Sequence, residues 1–468
     1  MSTTNSLSSL SSLTDSIASS ASGTSSSTTG TGLGQGINVQ EFVQYAVSAQ
    51  QAQITALQTE QTALGTQTGE LSTISTDLSN LDSAVEALND PLGALSAVVA
   101  TSSNSSVVSA TASSTAASGS HTITVTNLAT TSSYYTNELS SSSSTISPGS
   151  FQIQVGSNSP VTITVNSSDN TLSQLASTIN SQNAGVTASV IQDANGYRLA
   201  LVSNSSGAQG DIKVSSNTTG LSFTKAVTGT NASLTVDGIP ISSASNTVSN
   251  VISGVTLNLG SALPDTPVTV NVSPDTSQAT TAINNFVSAW NTAIKEINNQ
   301  FTVGSDGTAS GPLEADDTLQ QAQSMLLSAI SYSISGNNGI VNLASIGVNM
   351  NDDGTLTVDN GTLNAALSSN YSAVQNLMQN ATTGFAQNLD SAIQAINAPG
   401  TGILSIDSQS ITNNSNDLTQ QINDLQAALA TQEATLTTTY SQVNDTLEEL
   451  PLLESQLSQQ LTGISSSS

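Results

Sequence analysis

The 468-residue chain contains no cysteine, a single histidine and only four basic side chains. The absence of cysteine excludes a disulfide framework, a thiol nucleophile and a Cys-ligated metal site. The basic side chains all lie in the middle of the chain: Arg198, Lys213, Lys225 and Lys295. Because 32 acidic residues outnumber them, the chain cannot present the basic surface that neutralises phosphates. We therefore expect no nucleic-acid partner.

Long apolar runs are also missing. No stretch approaches the roughly 20 apolar residues of a membrane span, so we expect no membrane insertion. The first 30 residues are mostly Ser, Thr, Gly, Asn and Ala and lack the features of a cleaved secretory signal. Such a segment buries too little apolar surface to offset its ordering entropy, which predicts disorder over residues 1–31. Two interpretations of this segment stay open, a tail without function and an unfolded export signal.

Residues that carry catalytic chemistry are scarce. The histidine, His121, precedes an alternating strand, and no Gly-x-Ser-x-Gly turn accompanies it to present a nucleophilic serine. Residues 351–354 offer oxygen ligands, but the alternating ligands and distal glutamate of an EF-hand loop are absent. An Asp-Gly hairpin turn explains them better. We predict no enzyme activity, no catalytic residue, no metal site and no cofactor.

The chain has instead an apolar stripe near each end. Sustained four-three spacing of apolar side chains is typical of coiled-coil or bundle helices. The N-terminal stripe comprises Val43, Val47, Ile54, Leu57, Leu64, Leu71 and Leu78. The C-terminal stripe comprises Leu425, Leu429, Leu436, Val443, Leu450, Leu457 and Leu461. We predict that the terminal helices pair through these stripes and that the stripes mediate self-assembly. The first helix should end at Asn89-Asp90-Pro91, because the residue before a proline is pushed out of helical geometry.

The sequence between the stripes is β-rich and then helical again. Short alternating runs predict strands, and the two flanks of segment 131–227 resemble each other more than they resemble it. We interpret this segment as a domain inserted in a domain. After Pro274 the spacing predicts helices that include 319–334, 363–378 and 385–396, with a hairpin that turns at Asp353-Gly354.

The predicted fold class is multidomain α+β, with long terminal helices pairing as a coiled coil or helical bundle and nested β-rich domains inserted between them. The predicted limits are a disordered segment at 1–31, terminal helices at 32–90 and 400–464, a discontinuous β-rich domain at 92–130 and 228–274, an inserted β-rich domain at 131–227, a helical domain with a β-hairpin at 275–399 that packs with the N-terminal helix, and a disordered tail at 465–468.

Several motifs, in this order along the chain, resemble the bacterial flagellar filament-cap family, also called hook-associated protein 2. The first is GLGQGINV at residues 32–39, directly before the first striped helix. Three further blocks follow: LTVDG at 234–238 with NVISGVTL at 250–257, GPLEAD at 311–316, and LASIGV at 343–348 with DGTLTVD at 353–359. Residues 170–201 also resemble a small β-rich repeat of flagellin, hook and cap proteins. The resemblance spans roughly residues 31–464.

This resemblance implies a structural protein that caps the distal end of the bacterial flagellar filament and promotes polymerisation of exported flagellin. It implies a secreted, extracellular homo-oligomer, a pentamer, at the tip of the flagellum, exported without a cleaved signal peptide. The implied partners are flagellin, the hook-filament junction protein and an export chaperone on the C-terminal helix. In this interpretation the two stripes, from Val43 to Leu78 and from Leu425 to Leu461, contact flagellin as well as each other.

The sequence departs from the family at three places. Asn38 stands where the family often has Asp, the terminal helices carry no basic residue, and Pro451 interrupts the last helix. An interior proline costs about 3 kcal/mol, which predicts a kink or a break there. Two alternatives stay open: a flagellin-like or hook-filament junction protein, and a surface adhesin with a coiled-coil stalk. An additional adhesion role of the cap is a third hypothesis.

Overall fold

The computed structural model of the protein describes residues 39–168, 170–302 and 311–465. The helices are α1 (Val39–Asn89), α2 (Leu172–Ser181), α3 (Thr276–Gln300), α4 (Asp317–Ile330), α5 (Asn360–Ser369), α6 (Tyr371–Gln379), α7 (Phe385–Asn397) and α8 (Ile403–Ser465). The strands are β1 (Val98–Ser102), β2 (Val108–Ala112), β3 (Gly119–Asn127), β4 (Thr131–Thr136), β5 (Gly149–Val155), β6 (Val161–Val165), β7 (Val186–Gln192), β8 (Tyr197–Ser206), β9 (Ile212–Ser215), β10 (Phe223–Val227), β11 (Ala232–Val236), β12 (Ile239–Ser243), β13 (Thr247–Ile252), β14 (Val255–Leu259), β15 (Val268–Pro274), β16 (Val348–Met350) and β17 (Leu356–Val358).

The described residues form two compact units. The first unit comprises 39–72 and 407–465, and the second comprises 73–406. Both boundaries fall inside the long helices α1 and α8. The domain limits expected from the sequence divide the chain more finely and stay predictions. The expected disordered segment 1–31 and residues 466–468 of the expected tail lie outside the described residues.

Helix α1 ends at Asn89, as the sequence predicts. The Asp90 amide still donates to the Glu86 carbonyl at 2.9 Å, and Pro91 then follows. The Asp90 carboxylate accepts a hydrogen bond from the Leu92 amide at 2.9 Å, which closes the turn after the helix. The prediction that α1 stops before the proline is confirmed.

Helix α8, in contrast, continues through Pro451 to Ser465. The expected break there is therefore wrong, and a kink stays a prediction. A proline lacks one N–H donor, so it removes one hydrogen bond to the preceding turn. The neighbours Leu450, Leu452, Leu453 and Glu454 are strong helix formers and keep the helix favourable on both sides of that loss.

Two antiparallel sheets in the second unit share one apolar core. The five-stranded sheet has the order β1-β15-β3-β11-β12, and the three-stranded sheet has the order β13-β14-β2. Alternate residues of both sheets face inward, as in a half-buried strand. The fully buried members of this core include Ile123, Val125, Leu234, Val270 and Leu257. Strands β1–β3 precede segment 131–227 and β11–β15 follow it.

Segment 131–227 has its own core. Strands β10-β4-β8-β7 form a four-stranded sheet, and β6-β5-β9 form a three-stranded sheet. Helix α2 buries Leu172, Leu175 and Ile179 against side chains of both sheets. Thr171 and Gln174 form a capping box that satisfies the first free amides of this helix. The chain enters and leaves the segment side by side, because the Thr130 amide donates to the Thr230 carbonyl at 2.9 Å.

The remainder of the second unit is helical. Helix α3 buries Trp290, whose Nε1 donates to the Gly354 carbonyl in the β16–β17 hairpin at 2.8 Å. Phe286 of α3 packs edge-on against Phe385 of α7, with ring centroids 5.6 Å apart. The hairpin prediction is confirmed by the pairing of Met350 with Leu356.

Two helix predictions in this region are wrong. The expected helix 363–378 is two helices, because Asn370 adopts non-helical φ and ψ of −136° and 37° and separates α5 from α6. Helix α4 ends at Ile330 instead of 334, where the Ser331 amide bonds the Ala329 carbonyl and the chain leaves the helix. Asn370 and Ser331 are polar, so neither position interrupts the apolar periodicity from which the helices were predicted.

Candidate assembly surface on the terminal helices

The residues of the two predicted stripes fall into distinct groups. Six are buried: Val43, Val47, Ile54, Leu71, Leu78 and Leu429. Four are half-buried: Leu57, Leu64, Leu425 and Leu436. Three are exposed: Val443, Leu450 and Leu457. The side chain of Leu461 lies outside what the structure describes, and Leu78 belongs to the second unit. Their proposed role in self-assembly and flagellin contact stays a prediction.

The structure brings part of each stripe together in the first unit. Val47 and Ile54 of α1 form one cluster with Ile422 and Leu429 of α8. Leu57, Leu425 and Leu436 pack against its edges. Burial of side chains of this size stabilises a helix pair by about 1.5–3 kcal/mol each. The cluster has only four buried members, so the loss of one of them should measurably weaken the helix pair.

Two polar pairs fix the register of these helices. Gln50 Nε2 donates to Gln432 Oε1 at 2.7 Å, and Gln61 Nε2 donates to Thr419 Oγ1 at 2.6 Å. Moving forward along α1 corresponds to moving backward along α8, so the helices are antiparallel. A polar contact among apolar stripe positions favours one register over its neighbours.

The same register leaves the end of α8 uncovered by the described part of α1. Phe42 contacts Tyr440 with ring centroids 5.8 Å apart, and the described part of α1 begins only three residues earlier, at Val39. Helix α8 continues from Tyr440 to Ser465. The residues after 443 therefore extend past the described part of their partner helix.

We call the apolar face of this extension the distal stripe. It consists of Val443, Leu450, Leu453 and Leu457, which are 42%, 39%, 58% and 61% exposed. At about 100° per residue these four side chains lie on one side of the helix. Leu452, 63% exposed, points to the opposite side. A contiguous exposed apolar stripe is typical of a surface that a partner covers.

All ionisable side chains that carry charge at neutral pH in the first unit are acidic. Neither 39–72 nor 407–465 contains a lysine or an arginine, whereas both contain several carboxylates. The basic residues Arg198 and Lys225 instead form ion pairs within segment 131–227, Arg198 with Asp193 at 2.7 Å and Lys225 with Asp211 at 2.8 Å. Two copies of the first unit would therefore repel each other electrostatically.

The only histidine of the chain contacts a residue of a β-turn. His121 Nδ1 lies 2.8 Å from Asp237 Oδ2, and the Thr122 amide donates to the other oxygen of Asp237 at 2.8 Å. Hydrogen bonds from His121 and from the Thr122 amide hold the pKa of Asp237 below its usual value. Asp237 begins the Asp-Gly turn between β11 and β12. An apolar cavity of about 650 Å³ lies beside it, lined in part by Ile239, Ile241 and Val251.

Residues 351–354 are explained by the hairpin. The Asp353 carboxylate accepts hydrogen bonds from the amide and the hydroxyl of Thr355 at 3.0 and 2.6 Å. Among the described residues, no group of three or more Asp, Glu or His side chains is arranged to hold a metal ion. None of the helices in the described ranges is long and apolar enough to cross a membrane.

Comparison with protein-family models gives three matches. A model of the N-terminus of flagellar hook-associated protein 2 matches residues 35–132, and a model of its C-terminus matches residues 229–451. The flagellin hook IN motif matches residues 150–205, within segment 131–227. The two hook-associated matches therefore flank the inserted segment on both sides.

Individual proteins give the same result. A B-type flagellar hook-associated protein 2 of Pseudomonas aeruginosa is 33% identical over 274 residues, which cover 52% of this chain and 57% of that relative's own length. A flagellar hook-associated protein 2 of Escherichia coli O157:H7 is 28% identical over 382 residues, which cover 74% of this chain and 80% of the relative. The crystal structure of the D1-D2-D3 domains of an Escherichia coli flagellar cap protein superposes with a TM-score of 0.56 at 29% identity, covering 73% of this chain and 99% of that one.

Proposed function

Because this chain belongs to the flagellar hook-associated protein 2 family, we propose that it caps the distal end of the bacterial flagellar filament. There it promotes the polymerisation of exported flagellin subunits. The family is structural and is not known for enzyme activity. The proposed location is extracellular, at the tip of the flagellum.

The observation that carries this proposal is the distal stripe. Helix α8 presents Val443, Leu450, Leu453 and Leu457 on one exposed face, and the last three lie beyond the described part of α1. Burying such side chains in a partner contributes about 25 cal/mol per Å² of apolar surface. A cap has to hold the filament end and release it for each new subunit. A narrow apolar stripe without ion pairs suits such repeated contact.

The distal stripe also suggests which partners the chain binds. We propose that the chain assembles as a homo-oligomer, a pentamer, whose first units contact flagellin through the distal stripe. Before export, a chaperone would cover the C-terminal helix and keep the stripe from aggregating. The hook-filament junction protein would provide the first surface on which the cap sits. Native mass spectrometry of the purified chain tests the subunit number, and any single stoichiometry other than five contradicts the pentamer.

A deletion strain tests the function. Cells that lack this chain should carry hooks without filaments and release unpolymerised flagellin into the medium, and the wild-type chain supplied on a plasmid should restore filaments. Normal filaments on the deletion strain would overturn the proposal.

Two point variants test the surface. Leu457→Ser in the distal stripe should shorten filaments and raise free flagellin. Leu452→Ser is the matched control, because it changes an exposed leucine on the opposite side of the same helix. Equal phenotypes of the two variants, or a wild-type phenotype for Leu457→Ser, would show that the distal stripe is not the contact surface.

A further inference from the structure

A ladder of polar side chains joins the last turns of α1 to α7, within the second unit. Asn397 Nδ2 donates to the Ser75 carbonyl at 2.8 Å, and Gln394 Nε2 donates to Asp82 Oδ2 at 2.8 Å. At the other end, Asn89 Nδ2 lies 3.5 Å from Gln387 Oε1. These contacts run in opposite directions along the two helices, so α1 and α7 are antiparallel here.

The middle of the ladder differs from its ends, because it contains two carboxyl groups. Asp390 follows Gln387 by three residues on α7, and its Oδ2 lies 3.4 Å from Gln387 Nε2. Asp390 lies one turn from Gln387 and one turn from Gln394 on the face of α7 that meets α1, and its carboxyl acts directly on that of Asp82. Asp82 Oδ1 is buried and receives no hydrogen bond from any N–H or O–H group of the described residues. Two ionised carboxylates cannot satisfy each other, because both only accept.

Within the described ranges, no positively charged group acts on Asp82. The charged groups that act on Asp82 are Asp390 from α7 and Glu86 from the next turn of α1, and both are acidic. The described residues contain no group of three acidic or histidine side chains arranged to hold a metal ion. A proton is therefore the simplest way to complete this contact.

We propose that Asp82 and Asp390 share one proton and that this shared proton is a pH-sensitive latch between α1 and α7. Asp82 Oδ1 carries the proton and donates a hydrogen bond to the Asp390 carboxylate. Asp82 Oδ2 continues to accept the hydrogen bond from Gln394. When the proton leaves, two carboxylates face each other beside Glu86, and the middle of the ladder opens. The latch is a property of the second unit and does not depend on the proposed capping function.

Burial, the charge of Asp390 and the charge of Glu86 together raise the pKa of Asp82 to about 6 from an ordinary value of 3.8. A carboxyl whose pKa is raised on folding stabilises the fold fully below the unfolded pKa. That stabilisation is lost as the pH rises through the folded pKa. The α1–α7 contact should therefore be tightest near pH 4 and weaken up to about pH 7. The unfolding equilibrium changes by at most about a hundredfold over this range, and by less because solvent screens a partly exposed group.

The single tryptophan provides the readout. Trp290 lies on α3, whose Phe286 packs against Phe385 of α7, so its fluorescence reports unfolding of the helical part that holds the ladder. Urea unfolding of the full chain is followed at a series of pH values from about 4.5 to about 8. The wild-type midpoint should fall as the pH rises. In Asp82→Asn an uncharged amide donates to Asp390 at every pH, so the fall should largely disappear and the variant should be the more stable protein at the alkaline end.

Asp77→Asn is the matched control, because it removes one carboxylate from the same helix outside the ladder. It should keep the wild-type pH dependence. An Asp82→Asn protein with the full wild-type pH dependence would overturn the latch. If this variant does not fold, the carboxyl carbon-13 shift of Asp82 in the wild-type chain gives the answer. A titration midpoint near 6 supports the shared proton, and a midpoint near the ordinary 3.8 contradicts it.

Discussion

Leu429 and Leu457 occupy equivalent positions in the C-terminal stripe, because four heptads separate them. The structure nevertheless buries the first and exposes the second. Leu429 is 8% exposed in the core of the first unit, and Leu457 is 61% exposed in the distal stripe. Truncation of a buried leucine to alanine costs about 2–5 kcal/mol, and the lower part of that range applies where the surroundings can relax. The core around Leu429 has only three other buried members, Val47, Ile54 and Ile422, so it can partly collapse.

We therefore expect Leu429→Ala to lower the free energy of unfolding of the first unit by about 2–3 kcal/mol. Leu457→Ala should change it by less than about 0.5 kcal/mol, as an exposed substitution does. Urea unfolding followed by far-ultraviolet circular dichroism measures the helices, and Trp290 fluorescence provides a separate signal from the second unit. A loss below about 1 kcal/mol for Leu429→Ala, or equal losses for the two variants, would refute the pairing of α1 with α8 described above.

Three further predictions concern charge and backbone. Because the first unit has no lysine or arginine, self-association should strengthen as the Debye length falls from about 30 Å at 0.01 M salt to about 10 Å at 0.1 M; dissociation with rising salt in sedimentation velocity would contradict this. Pro451→Ala restores a helical N–H, worth up to about 3 kcal/mol locally, and should slow amide exchange around residue 451; unchanged exchange would show that the helix does not sense the proline. Gly354 and Gly238 both have positive φ, 79° and 81°, so alanine should cost about 1–2 kcal/mol at each. Gly354→Ala should cost slightly more in calorimetry, because its added Cβ would lie 2.9 Å from Leu327 Cδ2, the end of a flexible side chain that has to move, whereas Gly238 has open space; the reverse order would contradict the crowding.

Local signals in the sequence were sufficient for features that depend on neighbouring residues. The end of α1 before Pro91 and the hairpin turn at Asp353-Gly354 follow from the φ and ψ that proline and glycine allow. The apolar stripes follow from helical periodicity. Each of these features depends on residues within one or two turns of each other, so no knowledge of the fold was needed.

Whether a stripe residue is buried by another helix or exposed could not be predicted in this way. Periodicity places Leu429 and Leu457 on the same stripe, but only the register of Phe42 with Tyr440 shows where the described helix pairing ends. The proline at 451 was expected to interrupt α8, since a local rule does not weigh one lost hydrogen bond against the helix formers on both sides.

No local sequence signal indicates the Asp82–Asp390 contact. The two carboxyls are on different helices, and a sequence of acidic residues at helical spacing is most often a solvated face. Only the packing of α1 against α7 places them side by side without a basic neighbour. Tertiary pairs of this kind have no signature in composition or spacing.

The assignment as a filament cap is tested most directly by where the chain is found on the flagellum. A deletion strain complemented with the wild-type chain is labelled with gold-conjugated antibody against segment 131–227, and intact flagella are examined by electron microscopy. A filament cap predicts one cluster of gold at the distal end of each filament. Gold at the boundary between hook and filament, or along the filament shaft, would contradict the cap and identify a junction protein or a flagellin-like subunit instead.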